Sequence, residues 1–399
     1  VLVKHKSWVI LENLHVINSP KQGFVVAATS DSVIQNCSTY RSGMSGIAVW
    51  GDFRTGSPCR NVKILHNRVL YPNLKEMDPS LPIDPVTGEA EKAEHEGLTI
   101  GRAEHFVVAY NEVAYGGKEG IDSKGPNRFG KIHNNVVHHH QNSPYTAGIY
   151  LDAWTADQHD IDVFDNIIYN SGKGVSIDSE DGQPTYNIRV FRNIAYNNSE
   201  YGFTVGHSSS NAGDAAKDFT KDIELFNNTA VNNGAGIIVN DHKKNGQYVV
   251  TDITLRNNLL VNNRGLELKL PGSVSQQRIT IDYNQAWDAD VLTTAARNAD
   301  FGFRENNDLW ADPLFADALS HDYRLTSNSP SRNSGNPNSA YNDADGTRSD
   351  RGALYFTSSL PTRANGPIPT NNASSIELTP VLSWNPQNLT RSQKLYFGT

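Results

Sequence analysis

Apolar and polar residues alternate with a period of two in short bursts, and the bursts recur along the chain. One recurring unit has the form apolar-x-apolar-x-x-Asn-x-apolar: VILENLHV, VIQNCSTY, VKILHNRVL, FVVAYNEVAY, KIHNNVVHH, VFDNIIYN, VFRNIAYN, LFNNTAVN, LRNNLLVN and TIDYNQAW. Its asparagines are Asn13, Asn36, Asn67, Asn111, Asn135, Asn166, Asn193, Asn228, Asn258 and Asn284, spaced by 23, 31, 44, 24, 31, 27, 35, 30 and 26 residues. Between them lies a second strand that opens on glycine: GFVVAAT, GIAVWGD, GLTIGRA, GIDSKGP, GIYLDAW, GVSIDSE, GFTVGHS, GIIVNDH and GLELKLP. Period-two alternation marks strands with one buried and one outward face. No stretch of comparable length has a helical period.

A floor in the low twenties with variable excess means a constant rung carrying loops of variable length. Each rung leaves strand edges that only a neighbouring rung can satisfy, so the rungs stack. The pattern predicts an all-β fold, a single-stranded right-handed parallel β-helix of about ten or more coils. The recurring asparagine sits where the chain bends. Its amide donates and accepts at once, which suits a ladder running along the stack. Insertions at 70–95 and 207–220 break the rhythm and are expected to shape a binding face.

Domain organisation follows from where the repeat stops. Residues 1–285 are read as the β-helix, its N-terminal cap missing because Val1-Leu2-Val3 already reads as a strand. Residues 286–358 contain NNDLWADPLFADALSHDYRLTSNSP and DADGTRSDRGALYF, a run that resembles the closing segment of bacterial β-helix carbohydrate enzymes. Residues 359–399 are a linker followed by LTPVLSWNPQNLTRSQKLYFGT. That tail resembles the start of a fibronectin-type-III-like domain and is too short to fold as a sandwich.

Stacking the glycine-opened strands gives columns of side chains ~4.8 Å apart. With glycine as zero, positions +1 and +3 are apolar in coil after coil: Phe24/Val26, Ile47/Val49, Leu98/Ile100, Ile149/Leu151, Val175/Ile177, Phe203/Val205, Ile237/Val239 and Leu266/Leu268. Positions +2 and +4 therefore point outward. They are bland at the start and change in the middle, to Asp122 with Lys124, Tyr150 with Asp152, and Ser176 with Asp178. Position +6 adds Trp154, Glu180 and His242, Glu96 and Glu119 precede their glycines, and His207 lies just past the next strand. Like charges stacked at strand spacing repel, so a face that only needed to be soluble would not carry them. His138-His139-His140 is read as a turn rather than a metal site, since adjacent strand residues face opposite ways.

The composition excludes some partners. A formal net charge of −8 argues against nucleic acid, which wants a basic footprint. No run is long and apolar enough to span a membrane. Two cysteines, Cys37 and Cys59, make neither a metal site nor a disulfide framework. Whether they pair across neighbouring coils is open. Composition and repeat together suggest a secreted, periplasmic or cell-surface protein, expected to be a monomer.

Three functions fit the central face. Glycoside hydrolysis needs one protonated and one ionised carboxyl, and Asp152, Glu180 and Asp178 are the candidates. Asp122, Lys124, Tyr150, Trp154, Glu119, His207, His242, Arg102 and Glu96 would bind the polysaccharide, with no cofactor. Ca²⁺-dependent elimination on a uronic-acid glycan is the alternative, with Asp122, Asp152 and Asp178 as calcium ligands and Lys124 or Arg102 as base. A non-catalytic glycan-binding solenoid is the third. The succession GIYLDAW…GVSIDSE resembles β-helix glycoside hydrolases of the β-xylosidase type and, more distantly, β-helix polysaccharide lyases. The first likeness implies Asp152 as nucleophile and Glu180 as acid/base.

Overall fold

The computed structural model describes residues 1–74, 96–141, 143–144, 146–180, 182–207, 218–290, 307–357, 365–368 and 383–385. Most of the insertions at 70–95 and 207–220 lies outside them. The chain divides into two compact units, Val1–Tyr355 and Phe356–Thr399. In the second, Asn365–Ile368 pairs antiparallel with Ser383–Asn385.

The first unit is a solenoid with three strand-bearing faces. Among the described residues the first face stacks Leu2–Lys4, Phe24–Ala27, Ile47–Trp50, Leu98–Glu104, Ile121–His133, Ala147–Asp152, Lys173–Asp178, Tyr201–Val205, Ala235–Val239 and Leu268–Lys269. Each strand pairs in parallel with the corresponding strand one coil on. The second face includes Val62–Leu65, Val107–Ala109, Gln158–Phe164, Thr185–Phe191, Thr220–Phe226 and Val250–Arg256. The third runs from His15–Ile17 to Leu309–Trp310. Inward residues of all three faces form one continuous apolar core, from Phe24 and Val26 to Leu260 and Ile281.

The asparagine ladder runs unbroken from Asn67 to Asn284. Each amide donates to the next asparagine's Oδ1 at 2.9–3.1 Å. Each also donates to a carbonyl of the coil before, as Asn166 does to Ile132 at 2.9 Å. Asn13 and Asn36 do not belong to it. The register pairs Arg68 with Ser38 and Ser38 with His15, so Leu14 and Cys37 hold the ladder position in the first two coils. Asn13 and Asn36 stand one residue earlier, at the left-handed bend, with φ of 56° and 51°. Cys37 and Cys59 are free and buried. A second ladder, Asn198–Asn233–Asn263, ends on the Glu267 carboxyl.

One strand is displaced from its sequence reading. Ile237 pairs with Leu268, so Glu267, not Gly265, stands below Gly236. Leu268 takes the first core position there, and Leu266 is only half-buried. Residues 307–355 fold back along the last coils. Arg351 donates to the Asn284 and Asn307 carbonyls at 2.7 and 2.9 Å, and Tyr341 donates to Glu224 at 2.7 Å.

Candidate active site

Strand register on the first face builds the site from two adjacent columns. One reads Trp50, Gly101, Lys124, Asp152 and Asp178 in successive coils. The other reads Ala48, Thr99, Asp122, Tyr150 and Ser176. The direction of these side chains is as the alternation predicts, but their depth is not. Asp122 and Asp152 are 0% exposed, so the middle of this face is buried rather than open to solvent.

Lys124 is the hub. Its ammonium donates to Asp152 Oδ2 at 2.8 Å and lies 3.5 Å from Glu180 Oε2, 3.6 Å from Asp122 Oδ2 and 3.7 Å from Glu96 Oε1. Burial works to discharge the amine, yet Asp122, Glu96, Asp152 and Glu180 together hold its pKa above the ordinary lysine value. It is a permanent cation.

Four carboxyls around one cation cannot all ionise, and the site sorts them. Asp152 is pushed well above the carboxylate range, first by burial and then by the proton it shares with Glu180. Glu180, 47% exposed in its side chain, is held low, chiefly by that hydrogen bond from Asp152. Asp122 and Glu96 repeat the split. Burial raises Asp122, with the neighbouring Asp152 and Glu96 carboxyls competing with it for charge. Glu96 ends below its usual value because Lys124, Asp122 and Lys118 overcome its burial. Glu119 is raised to about 7 by burial and the neighbouring Glu96. Two neutral acids therefore stand beside two ionised ones.

The remaining predicted residues divide. Tyr150 is half-buried, and burial with the Asp178 charge keeps its phenol protonated. Trp154 has the Lys124 ammonium 5.7 Å from a ring centroid. Asp178 continues the Lys124–Asp152 column and accepts from the Ser179 N–H at 2.8 Å. Arg102 is turned elsewhere: it stands at a bulge with φ of 52°, its guanidinium 5.5 Å from the Phe53 ring centroid. Buried His207 and half-buried His242 lie against each other in a separate cluster, ring centroids 4.7 Å apart.

That cluster centres on Asp218, a residue the sequence reading missed. Asp218 Oδ1 accepts from Ser179 Oγ at 3.0 Å and lies 3.0 Å from His207 Nε2, while Oδ2 pairs with Lys244. Burial, with His242 and Lys244 nearby, lowers the His207 pKa to about 3. The histidine triplet diverges. His138 stacks on Tyr169 at 4.7 Å, and buried His140 has Nδ1 2.7 Å from the Lys118 carbonyl.

Calcium fits this geometry poorly. The space between Asp122 and Asp152 is taken by the Lys124 ammonium, 3.6 Å from Asp122 Oδ2 and 2.8 Å from Asp152 Oδ2. Among the described residues no group of three or more His, Cys, Asp or Glu is arranged to hold a metal ion.

Residues 1–187 match the family described as right handed beta helix region. No curated protein is similar to this chain at a significant level. Among solved structures, similarity extends to a hyperthermoactive exopolygalacturonase from Thermotoga maritima, at 11% identity over 72% of this chain and 54% of that chain, TM-score 0.48. It extends also to the mannuronan C-5 epimerase A-module of Azotobacter vinelandii, at 13% identity over 77% and 83%, TM-score 0.48. A third is pectate lyase Pel9A, at 12% identity over 88% and 87%, TM-score 0.44. The chain spans about half the length of the exopolygalacturonase. With its parallel coils continuing past residue 187 to Trp287 on the same register, the chain is a right-handed parallel β-helix.

Proposed function

We propose that this protein is a glycoside hydrolase acting on a polysaccharide outside the cell, with Asp152 and Glu180 as its carboxyl pair. The observation that carries this is two adjacent carboxyls on one ammonium, Asp152 fully buried and Glu180 47% exposed in its side chain, an arrangement that raises Asp152 and lowers Glu180. A glycosidase needs that division: the neutral acid protonates the leaving oxygen, and the carboxylate meets the oxocarbenium-like carbon. Both carboxyls contact Lys124, Asp152 at 2.8 Å and Glu180 at 3.5 Å, and they share a hydrogen bond, a closeness that favours a retaining pair over one held apart for water. The roles proposed are Glu180 as nucleophile and Asp152 as acid/base. That is the reverse of the roles the β-xylosidase likeness implies. Lys124 holds the pair together and offsets the charge of the second carboxylate when both ionise.

Elimination on a uronic acid asks for the opposite electrostatics. Its base must be a neutral amine near neutral pH, and the carboxyls around Lys124 keep it charged. Digesting neutral and uronate-containing glycans tests the proposal. New reducing ends without the ultraviolet absorbance of an unsaturated uronate, with the anomeric configuration kept, are expected. Unsaturated products would overturn it.

A further inference from the structure

The column carrying Lys124, Asp152 and Asp178 ends differently on its two sides. Toward the N-terminus the next residue is Gly101, whose side-chain space is already filled: a Cβ there would lie among the Trp50 ring atoms. Trp50 is itself buried, 8% exposed. The Phe53 ring stands 5.5 Å from it, and Arg102 covers Phe53 in turn. This end is an apolar wall.

Toward the C-terminus the next residues are Gly206 and Asn240, following the pairing of Ile177 with Val205 and of Val205 with Val239. A Cβ on Gly206 would stand 3.7 Å from Asp178 Oδ2 and 2.8 Å from Asn240 Nδ2. Here the floor is backbone, with a carboxylate on one side and an amide on the other. Exposure rises along it, from half-buried Asp178 to exposed Asn240 and Asp241. Sugar hydroxyls need paired donors and acceptors of this kind, whereas a buried indole wall offers at most a single N–H donor and no acceptor.

We propose that the groove is one-sided: the glycan lies over Asp178, Gly206 and Asn240, with its terminal residue stopped at Trp50, so the enzyme removes units from a chain end. This rests on the hydrolase reading for the cleavage, but not for the binding. The binding test uses the Glu180→Gln protein, so that bound sugar is not consumed, with monomers and trimers of xylose, glucose, galacturonate and mannuronate as probes. Gly206→Val, which fills the floor, and Asn240→Ala, which removes the amide without adding bulk, should each weaken trimer binding about tenfold and leave monomer binding unchanged. Equal trimer affinity in both variants, or no trimer bound at all, overturns the proposal. With active protein on a long end-labelled glycan, a single small product is expected, and Trp50→Ala should add larger ones. If the unaltered protein releases mixed sizes, the one-sided groove falls while the hydrolase stands. Trimer binding through Asn240 without any cleavage would remove the hydrolase and keep the groove.

Discussion

Lys124 donates to Asp152 at 2.8 Å and is also the cation shared by Glu96, Asp122 and Glu180. Removing it leaves buried Asp122 and Asp152 without their cation and Glu96 with Lys118 alone, 3.9 Å away. Lys124→Met should lower stability at neutral pH by about 3–5 kcal/mol, the usual cost of breaking a buried ion pair from one side. The loss is pH-dependent. Without the cation the carboxyls have raised folded pKa values, so their destabilising effect disappears as pH falls and they take up protons. Thermal melts near pH 7 and pH 5 check this, with the deficit expected to shrink at the lower pH. An equal deficit at both would mean that the ammonium serves by packing rather than by charge.

The Asp152–Glu180 pair titrates as a unit. On the proposed roles, activity requires Glu180 ionised and Asp152 protonated. Its acid limb should therefore fall below the usual carboxylate range, because Glu180 is lowered, and its alkaline limb well above that range, because Asp152 is raised. Asp152→Asn and Glu180→Gln should each reduce kcat by about 10²–10⁴. A substrate with a highly acidic leaving group distinguishes the roles, since it needs no proton to depart. It should restore glycosyl-enzyme formation in Asp152→Asn and not in Glu180→Gln. Restoration in the Glu180 variant instead would exchange the two roles.

Glu119 gives a second pH signature. Its pKa is raised to about 7, first by burial and then by Glu96. A group raised in the folded state contributes its stability below its unfolded pKa and loses it as pH climbs through the folded value. Glu119→Gln should match the parent near pH 5 and exceed it near pH 8, by about 1–2 kcal/mol after allowing for solvent screening. Chemical denaturation at the two pH values measures it.

Much of this was legible in the chain because a solenoid writes its register into its spacing. The pairing of Lys124 with Asp152 and of Asp152 with Asp178 follows from counting from Gly120, Gly148 and Gly174. Depth was not legible. Alternation says which way Asp122 points, while its burial depends on neighbouring coils and side chains. Asp218 was hidden for another reason. It lies 39 residues from Ser179 and 26 from Lys244, and in the strand repeat it has no column of its own. The slip at Gly265 shows the limit of reading register from a glycine. There the backbone spends two further residues before the strand begins, and Glu267 ends the second asparagine ladder.

The first ladder invites repair at its N-terminal end. Interior rungs are fully used: Asn166 accepts from the Asn135 N–H and amide at 2.9 and 3.0 Å and donates to Ile132 and Asn193 at 2.9 Å each. Asn166→Ala leaves several of these buried groups unmatched and should cost about 3 kcal/mol or more. At Cys37 the ladder stops, although the Cys37 N–H already donates to Asn67 Oδ1 at 2.9 Å. Its thiol faces the Leu11 carbonyl at 3.6 Å, and Leu11 holds the register position of Ile34, the acceptor for Asn67 one coil on. Asparagine is close to cysteine in volume, so Cys37→Asn should place its amide on both Leu11 and Asn67 and carry the ladder one coil further. A gain of about 1 kcal/mol is expected in chemical denaturation. A loss would mean that the first coil cannot close tightly enough to satisfy the new carbonyl, leaving a buried acceptor without its donor.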